Sequence, residues 1–121
     1  AALSYLVQAA RGGNAKAMNM IGRYREQTSG GANPARSAAL WFRWAAERGC
    51  FRGQFHHGRR LAEAGRIEEG KAWILRSLAD APEDYRSEAL AVLRDHPLPA
   101  LRDLSPADAP ADGGRDAEHA S

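Results

Sequence analysis

The 121-residue sequence contains a single cysteine, Cys50. It therefore cannot form an internal disulfide, and its cysteine content leaves the redox compartment open. No run of eighteen apolar residues occurs, which excludes a membrane-spanning helix. The first residues, AALSYLVQAARGG, show no secretory signal peptide, although such a segment could precede them. The compartment, cytoplasmic or periplasmic, therefore stays undecided.

Strand-like alternation of apolar and polar residues is absent from every window, whereas helix stop signals such as Gly49 and Gly65 recur. The pattern predicts six helices: 1–11, 14–27, 34–48, 51–64, 66–80 and 82–96. We therefore expect an all-α chain. The short connections between its helices favour antiparallel hairpins.

Proline is scarce until the end of the chain, where residues 97–121 hold four of the six prolines among Ala, Asp and Gly. Such a composition provides too little apolar surface to offset the entropy of ordering it. The sequence thus predicts a helical repeat domain at 1–96 and a disordered tail at 97–121.

The net charge of +2 is unevenly distributed. Residues 1–80 hold thirteen Lys or Arg and six Asp or Glu, which gives +7, whereas residues 81–121 hold four and nine, which gives −5. A basic body with an acidic end favours either an anionic partner or self-shielding.

An internal repeat is the strongest feature of the sequence. YLVQAARGG at 5–13 and WFRWAAERG at 41–49 superimpose with a shift of 36, and AWILRSLAD at 72–80 is a looser third copy. A period in the mid-thirties that contains two helices is typical of a helical-hairpin solenoid. We also expect the small residues Ala45 and Ala46 to face Gly58, so that two helix axes approach closely.

These motifs resemble the Sel-one-like repeat family, a branch of the tetratricopeptide-like solenoids. The resemblance covers about residues 1–80 and rests on the following positions: Ala17, Ile21, Gly22, Ala38, Trp41, Phe42, Ala45, Ala46 and Gly49. It implies an α-solenoid of about two and a half hairpins, with the first helix of each hairpin on the concave side. Gly53 and His57 depart from the pattern, and this degenerate unit suggests the C-terminal part of a longer array.

No constellation of catalytic or metal-ligating residues is visible. His56 and His57 are neighbours, and neighbouring side chains on a helix diverge by about 100° instead of sharing a face. Cys50 follows a helix C-terminus, where the dipole disfavours a thiolate. We therefore expect a non-enzymatic protein without a metal or another cofactor.

The candidate functional residues form a basic stripe. Helix 51–64 carries Arg52, His56 and Arg59 on the face opposite its apolar residues, and the matching positions one repeat earlier include Lys16 and Arg23. Equivalent positions line up in a solenoid, so the stripe predicts a ladder of positive charge, although any solvated helix face also carries arginine. Trp44 is a further candidate, as an exposed contact residue or as a residue that packs between hairpins.

The leading interpretation is a non-catalytic adaptor that presents a basic concave groove to a partner protein or an acidic peptide. The alternative is a helical repeat that binds nucleic acid through the same stripe, which would make binding strongly salt-dependent. Against the alternative, residues 36–66 carry a net charge of only +5, and no base-reading motif is present.

Overall fold

The computed structural model describes residues 2–28 and 32–105, of which 2–3 and 32–36, at the starts of two helices, are described by their backbone alone. Within that part of the chain all regular structure is helical, and no strand occurs. The helices are α1 (Ala2–Arg11), α2 (Ala15–Gln27), α3 (Ala32–Glu47), α4 (Phe51–Glu63), α5 (Ile67–Asp80), α6 (Glu83–Arg94) and α7 (Pro99–Arg102). The prediction of an all-α chain is confirmed. The bounds of its six helices agree with those of α1–α6 to within two residues.

The helices stack as antiparallel hairpins. α2 packs along α3, and α4 packs along α5, while α3 against α4 joins one hairpin to the next. α2 also contacts α4, so the first helices of the two hairpins are neighbours, as in a solenoid. α1 precedes this pair of hairpins and α6 follows it.

Three helices end in the same turn. Gly13, Gly49 and Gly65 all have a positive φ, of 96°, 88° and 98°. In each turn the N–H of the next residue donates to a carbonyl five residues earlier: Asn14 to Ala9 at 3.1 Å, Cys50 to Ala45 at 3.1 Å and Arg66 to Leu61 at 2.9 Å. This is the Schellman motif, in which glycine takes the left-handed position without strain from a Cβ.

Glycine also determines how closely the hairpin α4–α5 packs. A Cβ atom at Gly58 would lie 2.6 Å from the carbonyl oxygen of Gly70, so the two backbones are in direct contact there. The partner predicted for Gly58 was wrong. Ala45 instead faces Gly53, where an added Cβ would lie 2.6 Å from the Ala45 Cβ. Gly53 is one turn nearer the start of α4, where α3 and α4 are joined by a short turn.

The core has two parts. The cluster at the N-terminal end joins α1, α2 and α3 and consists of Ala10, Ala17, Met18, Ile21 and Ala45. The other cluster joins α4, α5, α6 and α7, and its largest fully buried members are Ile74, Leu78, Leu93 and Leu101.

The packed chain continues past the predicted boundary at residue 96. Leu101 is 0% exposed, and Leu104 is buried beside it against the second cluster, with Leu98 partly buried there. These three leucines recur every three residues within a proline-rich segment, so α7 and its flanks can bury one apolar side. The rest of the predicted tail, residues 106–121, lies outside the described residues.

Candidate interaction surface

The two ends of the α4 stripe, Arg52 and Glu63, contact α6 and the residues that follow it. The guanidinium of Arg52 lies 4.6 Å from the ring centroid of Tyr85, and the Nε2 atom of His96 lies 2.9 Å from a carboxylate oxygen of Glu63. Both pairs are 33 residues apart, so one register relates the stripe of α4 to α6 and to the residues that follow it.

α2 extends the same surface on the other side. Lys16 and Arg52, which the repeat makes equivalent, line one cleft. The charge of Arg23 contributes to lowering the pKa of His56 and opposes the raised pKa of Tyr85, so α2, α4 and α6 share one electrostatic environment. Burial is the main cause that raises the pKa of Tyr85, to about 12, and the phenol is neutral at pH 7.

The cleft has a volume of about 320 Å³ and lies where the α3–α4 turn meets the start of α2. It is lined by Ala15, Lys16, Arg48, Gly49, Cys50, Phe51 and Arg52. Sequence reasoning missed Arg48, because the repeat aligns it with Gly12 and no ladder results. The available signal was its place immediately before the turn glycine Gly49, two residues from the start of the next helix.

Arg59 does not extend the ladder of free positive charge. Its guanidinium bonds to the carboxylate of Glu26 at 2.9 Å and approaches that of Glu63 at 3.4 Å, and its side chain is only 17% exposed. Arg60 pairs with the same Glu26 carboxylate. Burial raises the pKa of Glu26, but the hydrogen bonds and charges of both arginines outweigh burial and hold the pKa below its usual value.

His56 is largely enclosed as well. Its ring stacks on Phe42 at 4.8 Å and meets Phe55 edge-on at 5.6 Å, while its Nδ1 atom lies 3.2 Å from a guanidinium nitrogen of Arg59. Burial and then the charge of Arg59 lower the pKa of His56 to about 4. The imidazole is therefore neutral at pH 7 and adds no charge to the surface.

His57 packs in a different direction, edge-on to Trp73 at 5.2 Å. The two neighbouring imidazoles thus contact different helices. Across residues 2–28 and 32–105, no three His, Cys, Asp or Glu side chains come together as a metal site would require. No described helix is both long and apolar enough to cross a bilayer.

Trp44 lies on α3 and is partly exposed, as one of the two roles predicted for it requires. It is 39% exposed, and its ring meets Trp41 edge-on at 5.1 Å. Its indole thus packs within its own helix and is partly open to solvent. α3 is a second helix of its hairpin, so Trp44 lies outside the stripe of α2 and α4.

Four cations of this surface have no carboxylate partner among the described residues: Lys16, Arg23, Arg48 and Arg52. Arg48 donates only to the carbonyl oxygen of Trp44, at 3.4 Å, and Arg52 contacts aromatic rings. Three of these four cations, Lys16, Arg48 and Arg52, therefore lie where α2 and α4 begin, and Arg23 lies farther along α2.

Comparisons with protein-family models, with curated proteins and with solved structures gave no match to this chain. The resemblance to Sel-one-like repeats therefore stays a prediction from the sequence.

Proposed function

We propose that this protein is a non-catalytic interaction module that binds an acidic segment of a partner protein on the face formed by α2 and α4. The observation that carries the proposal is the set of uncompensated cations on the neighbouring helices α2 and α4. Lys16, Arg23 and Arg52 are exposed and have no carboxylate within ion-pair distance in the described chain.

An apolar side chain lies within the same stripe. Met20 is 45% exposed, and helical spacing places it between Lys16 and Arg23 on one face of α2. Cations that flank an exposed thioether suit a protein segment with both acidic and apolar residues, because methionine adapts its shape to apolar partners. This arrangement favours a protein over a nucleic acid.

The hairpins supply the mechanism. The Schellman turns and the glycine contact between α4 and α5 fix the helices, so the stripe is already ordered before a partner arrives. Binding then costs less side-chain and backbone entropy than binding by a flexible segment would. The resemblance to Sel-one-like repeats supports the same adaptor role.

The test is affinity capture from native lysate with the full chain, at low and moderate salt and with nuclease treatment. Arg23→Glu combined with Arg52→Glu should abolish capture of a discrete partner that survives nuclease. Arg59 is unsuitable for this reversal, because a glutamate there would face Glu26 and Glu63.

Arg94→Glu combined with Arg102→Glu is the matched control, since it reverses two exposed charges that lie on α6 and α7 and outside the stripe of α2 and α4. Capture that persists in the Arg23/Arg52 variant, or that is lost equally in the control, contradicts the proposal. If the captured material is removed by nuclease and dissociates between the two salt steps, the stripe binds nucleic acid instead.

A further inference from the structure

Residues 106–121 are acidic, whereas the packed chain before them is basic. The acidic residues of this segment are Asp108, Asp112, Asp116 and Glu118. Four acidic residues and one arginine give the segment a net charge of −3. Residues 1–105 hold sixteen Lys or Arg and eleven Asp or Glu, which gives +5. Opposite net charges within one chain favour a contact between the segment and a positive face of the packed part.

The face formed by α2 and α4 offers the segment cations that are not yet paired. Lys16, Arg23 and Arg52 are exposed and have no carboxylate partner in the described part of the chain. Arg59, farther along α4, is already neutralised by Glu26. The carboxylates of the segment can therefore pair with three cations without displacing an ion pair that the fold already has.

The spacing of the carboxylates suits the cations of α2. Lys16 and Arg23 are seven residues apart on one helix, which corresponds to a rise of about 10 Å. Asp108 and Asp112 are four residues apart, and four residues of chain span at most about 14 Å. Two consecutive acidic residues of the segment can therefore contact both cations of α2 at once.

The segment starts from the core cluster against which the ring partner of Arg52 packs. Leu104 is buried in the same cluster as Phe55 of α4, and Tyr85 packs against that cluster. The guanidinium of Arg52 lies 4.6 Å from the ring centroid of Tyr85. Sixteen residues follow Ser105 and can span at most about 55 Å, whereas α4 is about 20 Å long. The carboxylates can therefore reach α2 and α4 from the end of the described chain.

The segment can neutralise the stripe but cannot supply a large apolar contact. Residues 106–121 contain no Leu, Ile, Val, Met, Phe, Tyr or Trp. Met20 is 45% exposed between Lys16 and Arg23, and its thioether suits larger apolar groups. A partner with both acidic and apolar residues gains this contact in addition to the ionic ones. Such a partner can therefore displace the segment.

We propose that residues 106–121 dock on the face formed by α2 and α4 and compete there with the acidic segment of the partner protein. The inference rests on the proposed function, because the segment and the partner need the same cations. A tethered segment acts at an effective concentration on the order of mM, so even weak ionic contacts keep part of the face occupied. The apparent Kd of the partner rises in proportion, because only the unoccupied fraction binds it.

Two variants of the full chain separate the charge of the segment from the net charge of the protein. The segment-neutral variant carries Asp108→Asn, Asp112→Asn, Asp116→Asn and Glu118→Gln. The control variant carries Glu83→Gln, Glu88→Gln, Asp95→Asn and Asp103→Asn, at four exposed positions of the described chain. Both variants raise the net charge by four, and circular dichroism checks that both keep their helix content.

Docking is measured by paramagnetic relaxation in the ¹⁵N-labelled full chain. A nitroxide label at Gly114→Cys, in a Cys50→Ser background, reacts at a single position. At low salt the label should broaden the amide signals around Lys16, Arg23 and Arg52. The broadening should be lost in the segment-neutral variant, which keeps the same tether length, and should weaken at moderate salt because exposed charges are screened.

Competition is measured with the peptide fluorescein-Glu-Leu-Glu-Glu-Leu-Glu-amide as the probe for an acidic and apolar partner segment. Its Kd, measured by fluorescence anisotropy at constant ionic strength, should be about fivefold lower in the segment-neutral variant than in the unmodified chain. In the control variant the Kd should change by less than about twofold, because charges outside the face act only through screened long-range attraction.

Three results would overturn the inference: equal broadening in the segment-neutral variant, broadening that persists when Arg23→Glu and Arg52→Glu remove the cations, or equal Kd values for the probe in the segment-neutral and control variants. If one of these occurs while Arg23→Glu with Arg52→Glu still abolishes partner capture, the inference fails and the proposed function stands. If the label broadens the face but even the segment-neutral variant captures no protein, the docking of the segment is supported and the proposed function is contradicted.

Discussion

Asn14 and Cys50 occupy the same place in two equivalent turns, α1–α2 and α3–α4, but only Asn14 caps the helix that follows. Their backbone angles nearly coincide, with φ −75° and ψ 106° at Asn14 and φ −76° and ψ 113° at Cys50. The sequence placed Cys50 after the end of a helix, and the structure shows that it is also the N-cap residue of α4. The position thus faces the positive end of a helix dipole as well as the negative end of α3.

Cys50→Ser should stabilise the fold. A serine at an N-cap accepts a hydrogen bond from a first-turn N–H, whereas the thiol of Cys50 makes no such bond. We therefore expect the free energy of unfolding of the Cys50→Ser variant to exceed that of the Cys50→Ala variant by about 1 kcal/mol. Urea denaturation of both variants measures the difference. Asn14→Ala should lose a similar amount, and equal stabilities for Cys50→Ser and Cys50→Ala would contradict the prediction.

Gly58→Ala should destabilise the hairpin α4–α5. The new Cβ would lie 2.6 Å from the carbonyl oxygen of Gly70 and 2.8 Å from Cγ1 of Ile74, and the backbone atom cannot rotate away. Overpacking of this kind costs about 1–3 kcal/mol, which outweighs the gain in helix propensity.

Gly12→Ala is the control for that substitution, because its nearest contact would be an ordinary 3.5 Å from a carbonyl oxygen. Thermal unfolding of both variants provides the measurement. A Gly58→Ala protein as stable as Gly12→Ala would mean that α4 and α5 do not pack backbone to backbone.

Features encoded by local residues could be predicted from the sequence. The shift of 36 places Gly13 and Gly49 at equivalent positions. The structure gives both a positive φ and the same hydrogen bonds, because a Schellman turn depends on a few consecutive residues. The alternating stop signals likewise predicted α1–α6 and their hairpin order.

Features that depend on a neighbouring helix could not be predicted in this way. Gly53, and not Gly58, faces Ala45, because the crossing point of two helices depends on the turn geometry between them. Arg59 has the predicted stripe position, but Glu26 of α2 neutralises it from outside the stripe. Sequence spacing assigns a face to each helix and does not identify the charges that the next helix brings to it.

Leu101→Ala should show that the packed domain extends beyond residue 96. Leu101 is completely buried against the core cluster of α4–α6, so truncation should cost about 2–5 kcal/mol, as for other core leucines. The neighbouring Arg102 is exposed, and Arg102→Ala should change stability by less than about 0.5 kcal/mol. Urea midpoints compare the two variants, and a Leu101→Ala protein as stable as wild type would place the end of the domain before α7.

The stability of the protein should fall as pH decreases from about 6.5 to 4. Burial, aided by the charge of Arg59, lowers the pKa of His56 to about 4, against about 6.5 in the unfolded chain. The unfolded chain therefore binds more protons in this window, so stability is complete above pH 6.5 and is lost as pH falls towards 4. The full window corresponds to about 3 kcal/mol. Burial also lowers the pKa of His57, which acts in the same direction.

His56→Met isolates this contribution, because methionine occupies the equivalent position in α2, at Met20. Urea unfolding at pH 7 and at pH 4.5 should show a much shallower pH dependence in the variant. The charged groups around His56 that also act on its pKa, Arg59, Glu26, Arg23 and Arg60, are unchanged by the substitution. His57→Gln removes a less buried imidazole and should reduce the pH dependence by a smaller amount. An unchanged pH dependence in His56→Met would show that the imidazole is not held neutral between Phe42 and Phe55.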